Sequence, residues 1–278
     1  MRARKGEKGR EKAGRVGCLV VLALGGLALD TASAEAQVMD SVGQIVPING
    51  RRFHLLCAGT GAPMVVLEAG AGSTTRGWRL VLPEVARLTR VCAYDRSGLG
   101  RSQPGLESRD PLAIAEDLRT LLRAAGEGGP YVLVGHSNGG PYARIFADRF
   151  PDAVAGLVLV DPSDEHFYER AKPFMPESHW EGWTRSESAT TVLLRIARAP
   201  DVPAVVLTSG QAGIHAAPGY QLDSLRVAWR AAHAKTARKL GARHQIVAES
   251  GHLIQLDRPE VVVTAIREVV EAARGRGH

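Results

Sequence analysis

The chain reads as an α/β protein, a mostly parallel sheet with helices on both faces. Short apolar runs alternate with segments of helical periodicity along most of its length. Several of the runs are continuous Val/Leu stretches, which suit strands covered on both sides rather than on one. A length of 278 residues is enough for one large domain with a well-buried core.

The elements follow in order. Gly43 to Pro47 and Arg51 to Cys57 form an opening hairpin, because Asn49-Gly50 accepts the positive φ angles of a tight turn. Met64 to Glu68 is the next strand; a glycine-rich loop follows it, then a helix near Trp78 to Leu88. Further strands fit Val91 to Tyr94, Tyr131 to Val134, Leu157 to Val160, Ala204 to Leu207 and His244 to Ala248, making eight in all. Helices fit Leu112 to Ala125, Pro141 to Phe150, Leu222 to Leu240 and Glu260 to Arg274. Residues 162–200 break the alternation and concentrate Phe167, Tyr168, Phe174, Met175, Trp180 and Trp183, although aromatics are 5% of the chain. An aromatic-rich insertion after a strand's C-terminal end reads as a short helical lid over a site.

Composition narrows the partners. Apolar residues make up 45% and charged residues 23%, as in an ordinary globular protein. Of the net charge of +6, residues 1–34 carry +4, and the remainder has no basic cluster interleaved with aromatics. A nucleic-acid partner is therefore not expected. Residues 1–36 read as a signal peptide: a basic stretch from Arg2 to Arg15, an apolar run from Val16 to Leu29, then small residues around Ala32-Ser33-Ala34. The run is short and broken by Gly25-Gly26, so no stable membrane insertion is expected after processing, and residues 37–278 form the exported domain. An uncleaved N-terminal anchor is the alternative. Cys57 and Cys92 both fall in buried strands, where two buried thiols are favoured; in an oxidising compartment they could pair instead. No Cys/His spacing suggests a metal site, and no cofactor is expected.

The most informative stretch is Gly135-His136-Ser137-Asn138-Gly139-Gly140, between the apolar run Tyr131 to Val134 and a helix-forming segment. A serine flanked by glycines at such a switch sits in a strained turn with its hydroxyl raised above the sheet. The glycines allow strand and helix backbones to approach where a Cβ would collide. The following helix turns its N-terminal amides towards the serine.

A serine hydroxyl needs a base to take its proton and a third group to orient that base. His252, in Glu249-Ser250-Gly251-His252 after the last strand, is the expected base. His244 falls within a strand, His54 belongs to the hairpin, and the His136 side chain should point away from the serine. For the acid, Asp161 ends the strand Leu157 to Val160 and stands at the same sheet edge. Asp164 and Asp223 are lesser candidates, because no carboxylate follows Ala204 to Leu207 until Asp223. Acyl transfer also needs two donors for the developing oxyanion. The amide of Asn138 is one; the loop Ala69 to Gly72 should supply the other, with Ala71 preferred.

Together with Val66-Leu67-Glu68-Ala69-Gly70, Tyr94-Asp95-Arg96-Ser97-Gly98-Leu99-Gly100-Arg101-Ser102 and Ser250-Gly251-His252, the Ser137 turn makes the chain resemble the α/β-hydrolase fold superfamily, in its esterase- and lipase-like part, from about Val42 onward. The resemblance implies a serine hydrolase in which Asp95 and Arg96 shape the pocket edge rather than react. Two departures stand out. The family's frequent His-Gly before the oxyanion loop is Ala69-Gly70 here, and the acid after the penultimate strand is missing, which shifts that role to Asp161.

The expectation is hydrolysis of a small carboxylic ester through a covalent acyl-enzyme. Rivals are an aminopeptidase or amidase, a thioesterase, a carbon–carbon bond hydrolase, or a non-catalytic binding protein on the same fold. An aminopeptidase would need carboxylates in the lid for a substrate ammonium, for which Asp164, Glu165, Glu169 and Glu177 are available. Resemblance also implies that a serine at this turn disfavours dehalogenase and epoxide hydrolase chemistry, which generally uses an aspartate there.

Overall fold

The computed structural model describes residues 43–104, 110–176, 187–196, 201–211 and 219–277. Eight strands form one sheet: β1 (Gln44–Ile48), β2 (Arg51–Ala58), β3 (Met64–Glu68), β4 (Val91–Tyr94), β5 (Tyr131–His136), β6 (Val154–Val160), β7 (Ala204–Ser209) and β8 (Arg243–Val247). Their spatial order is β1-β2-β4-β3-β5-β6-β7-β8. The first two strands pair antiparallel, as do β2 and β4; every later pairing is parallel. Asn49 and Gly50 both take positive φ, as the hairpin reading requires.

Helices cover both faces, α1 (Leu82–Ala86), α2 (Pro111–Ala124), α3 (Gly139–Arg149), α4 (Phe167–Ala171), α5 (Glu187–Arg195), α6 (Leu222–Leu240), α7 (Ile254–Asp257) and α8 (Pro259–Gly275). Two cores result. On one face Leu118, Leu121 and Leu122 of α2 and Ile145 and Phe146 of α3 pack on Val66, Leu133 and Leu157. On the other, Val262, Ile266, Val269 and Val270 of α8 pack with Val85 of α1 on Val65, Val134 and Val158. The central strands are buried on both sides, which explains their unbroken apolar sequence.

Two expectations change. The helix foreseen from Trp78 to Leu88 is a 3₁₀ turn, Thr75–Trp78, followed by the short α1, because Pro83 lacks the N–H that a continuous helix would need there. Cys57 and Cys92 are not free thiols: they form a disulfide. They lie directly opposite each other on the antiparallel β2 and β4, a register that the separate strands do not reveal. The group Cys57, Cys92 and Glu127, spaced to hold a metal ion, thus has its two sulfurs joined to each other.

Within the expected lid, α4, a 3₁₀ turn at Lys172–Phe174 and α5 are described; Trp180 and Trp183 lie outside the described residues, as does the expected signal segment. Phe167 and Met175 are buried against Leu225, Trp229 and Ala232 of α6, forming a third apolar cluster beyond the sheet edge. No described helix is long and apolar enough to cross a membrane.

Candidate active site

Ser137 follows β5 with φ of +51°. A non-glycine residue there costs on the order of 1–3 kcal/mol and is held only by its surroundings. The glycines show how. A Cβ on Gly135 would lie 2.3 Å from the Gly139 carbonyl oxygen, and one on Gly139 would lie 2.2 Å from the Glu68 carbonyl oxygen. Strand, turn and helix are in backbone contact, and only glycine fits at both points. The Ser137 amide donates to Val160 O at 3.1 Å, and its carbonyl accepts from Gly140 N at 2.9 Å and Ser163 N at 3.0 Å. The turn is thereby stitched to the end of β6, where Asp161 sits.

Asp161 is fully buried, with φ of +43°. Its Oδ1 accepts from the Ser209 amide and the Trp229 indole, each at 2.8 Å. Its Oδ2 accepts from the Ser209 hydroxyl at 2.9 Å and from His252 Nδ1 at 2.7 Å. Burial pushes this carboxyl up, but the His252 hydrogen bond, the His233 and His252 charges and the Ser209 amide outweigh it and hold it below the usual aspartate value. An ionised carboxylate accepts only, so His252 donates through Nδ1, and its Nε2 is the nitrogen not engaged by the acid. The His252 side chain is 28% exposed, which leaves that second nitrogen reachable.

The His252 loop is fastened to the elbow by His136. The His136 Nε2–H donates to the His252 carbonyl at 2.9 Å, and the two rings lie 4.7 Å apart. Burial, then the nearby His252, lowers the His136 pKa to about 4, so it is a neutral strut at ordinary pH. Gly70 leaves room for it: a Cβ there would come within 2.9 Å of His136 Nδ1 and 3.2 Å of Ser137 Cβ. Among the described residues, no group accepts from the backbone amides of Ala71 or Asn138.

Ser137, Asp161 and His252 are thus brought to one sheet edge, beside Asn138 and Ala71. Asp164 and Asp223 are not at His252. Asp164 is buried, accepting from Thr236 Oγ1 at 2.5 Å and the His166 amide at 2.7 Å, while Asp223 is exposed and paired with Arg226. Glu165 is held by both terminal nitrogens of the buried Arg144, each at 2.7 Å. Asp164 and Glu165 are therefore occupied within the protein; Glu177 and the Glu169 side chain lie outside the described residues.

Ser209, Trp229 and His233 were not foreseen. Ser209 stands at the end of β7, where the missing family acid would be expected, and its two donors instead serve the carboxylate one strand away. His233, fully buried in α6, donates through Nε2 to Pro162 O at 2.8 Å and takes the Thr208 hydroxyl on Nδ1 at 2.9 Å. Trp229 packs edge-on against Phe167 of α4. Away from this edge, a surface cavity of about 500 Å³ between α1 and α8, lined by Arg79, Pro83, Pro259, Val263 and Arg267, holds none of these groups.

Comparison with known proteins agrees with the topology. Residues 62–191 match the family model described as the alpha/beta hydrolase fold. The uncharacterized protein YqjL of Bacillus subtilis (strain 168) is 27% identical over 239 residues, spanning 81% of this chain and 91% of that protein. A soluble epoxide hydrolase of Corynebacterium sp. (strain C12) is 37% identical over 114 residues, which is 41% of this chain and 39% of that enzyme. Carboxylesterase CesB from Bacillus subtilis superposes with a TM-score of 0.61 at 17% identity, covering 87% of this chain and 97% of that one. Sheet order, elbow geometry and family match converge: the chain has the alpha/beta hydrolase fold.

Proposed function

We propose that this protein is a serine hydrolase that cleaves small carboxylic esters through a covalent acyl-enzyme. The observation that carries the reading is the 2.7 Å contact between His252 Nδ1 and the buried Asp161, beside a serine held at positive φ. Nδ1 is committed to the carboxylate, so Nε2 is free to accept the Ser137 proton as the hydroxyl oxygen attacks the ester carbonyl. The oxyanion that forms is met by the amides of Asn138 and Ala71. His252 returns its proton to the departing alcohol, and water activated by the same imidazole releases the acid. The carboxylesterase activity of the structural neighbour CesB is in keeping with this chemistry. An epoxide hydrolase reading is less apt, because Ser137 and not an aspartate occupies the elbow.

Export is part of the same proposal, supported by the Cys57–Cys92 disulfide, since such bonds persist in oxidising compartments. A fluorophosphonate probe tests the chemistry. Labelling of the folded protein that disappears in Ser137→Ala supports the enzyme, whereas an unlabelled wild type points to a binding protein. A panel of p-nitrophenyl esters, thioesters and aminoacyl amides then identifies the bond cleaved. Esters should turn over fastest, and His252→Gln should abolish their turnover; a variant that keeps wild-type kcat would count against His252.

A further inference from the structure

We infer that Arg96 is a positioning residue that aims the Ala71 amide at the developing oxyanion, by gripping the carbonyls of Ala69 and Gly70. The inference rests on the serine hydrolase reading above and extends it to the buried charge that sets the oxyanion loop. Arg96 Nη1 donates to Ala69 O and Nη2 to Gly70 O, each at 2.5 Å. Nη1 also pairs with the buried Glu68 carboxylate, which accepts in addition from the Tyr94 hydroxyl. Tyr142 of α3 closes the cluster, its ring centre 5.3 Å from the guanidinium carbon.

Peptide geometry converts this grip into a direction. The cis bonds among the described residues are Ala62-Pro63 and Gly129-Pro130, so the Gly70–Ala71 peptide is trans. In a planar trans peptide the N–H points opposite to the C=O. With Gly70 O turned towards Arg96, and also accepting the Ser73 amide at 3.2 Å, the Ala71 N–H points the other way. Gly70 itself lies against the elbow, within a methyl's reach of Ser137 Cβ.

The far end of the loop is fixed by the neighbouring residue. Asp95 Oδ1 accepts the Thr75 amide at 2.8 Å, and its Oδ2 accepts from the Arg101 amide and pairs with His54. Two successive residues at the end of β4 therefore hold both ends of residues 69–75. A lysine could not replace Arg96 here, because two adjacent carbonyls need the fork of a guanidinium rather than one ammonium.

The test uses the full enzyme, Arg96→Lys and the double variant Arg96→Met/Glu68→Gln, which leaves no unpaired buried charge. The probe is an alkyl trifluoromethyl ketone, which adds to Ser137 and places a tetrahedral anion in the oxyanion site. Loss of one oxyanion donor typically lowers kcat by roughly 10² to 10³, so kcat should fall towards that range in the double variant and less in Arg96→Lys. KM should stay within about threefold, and affinity for the ketone should weaken in parallel with kcat. In the wild type, forming the ketone adduct should move the Ala71 amide proton downfield.

An unchanged kcat, a loss confined to KM, or ketone affinity that does not follow kcat would overturn the role of Arg96. So would a wild-type adduct that leaves the Ala71 resonance in place, a result independent of how the variants fold. Failure of the underlying reading looks different: the wild type would neither hydrolyse esters nor form the adduct at Ser137.

Discussion

Replacing Asp161 with asparagine probes the site through a single oxygen. The amide could sit either way round, but the protein permits one orientation. An NH₂ at the Oδ1 position would face the Ser209 amide and the Trp229 indole, two fixed donors at 2.8 Å. Two buried donors without acceptors would cost about 1–3 kcal/mol each. The carboxamide oxygen therefore keeps the Oδ1 position, and the NH₂ takes the Oδ2 position, 2.7 Å from His252 Nδ1. There it must donate, because the Ser209 hydroxyl can rotate to accept whereas His252 must lose its Nδ1 proton. The imidazole then carries hydrogen on Nε2 and can no longer accept from Ser137. Installing the wrong tautomer in this way lowers kcat by roughly 10⁴, or about 5 kcal/mol of transition-state stabilisation. The fold should tolerate the change, since each hydrogen-bonding position keeps a partner. Steady-state ester hydrolysis beside a thermal melt is the assay. A folded Asp161→Asn enzyme within tenfold of wild-type kcat would refute the assignment, and Asp223→Asn serves as the control expected to be silent.

Three other outcomes follow from the geometry. His136 titrates at about 4 rather than near 6.5, so the unfolded chain binds the extra proton first and the fold should lose on the order of 3 kcal/mol as pH falls through that window; urea melts of His136→Phe should show a shallower slope there. The Cys57–Cys92 bond closes a loop with a sequence separation of 35, so Cys57→Ala/Cys92→Ala should cost about 4 kcal/mol in equilibrium unfolding while leaving kcat unchanged. Gly139→Ala drives a Cβ to 2.2 Å from the Glu68 carbonyl, and should destabilise by roughly 3 kcal/mol or more; a thermal midpoint equal to wild type would contradict the close packing of the elbow.

Elements fixed by local chemistry could be read from the chain alone. Helix α6 runs from Leu222 to Leu240 as periodicity required, and the Ser137 turn is announced by its own glycines. The place of Asp161 was legible because an aspartate ending a central strand has nowhere to be but the sheet's C-terminal edge. What stayed hidden depends on which strands become neighbours. The disulfide requires β2 to pass over β3 and pair with β4, and alternating hydrophobicity does not encode strand order. Ser209 and Trp229 reach Asp161 from 48 and 68 residues away, and a serine or tryptophan in a buried segment carries no mark of such a partner. The signal that existed was negative: β7 ends without the carboxylate that the family places there, and something else had to occupy that edge.

The position of Asp161 also has a bearing on how this machinery assembles. On the proposed reading, nucleophile and acid close two consecutive strands of a single strand–helix–strand unit, and Ser137 is tied directly to Val160 and Ser163 at its far end. Two members of the proposed triad thus form as one cassette, with short-range connectivity, while the imidazole is delivered by the last quarter of the polypeptide. Loosening that late segment would silence turnover yet leave the remainder intact, making the C-terminal quarter the natural place for activity to be tuned without redesigning the scaffold.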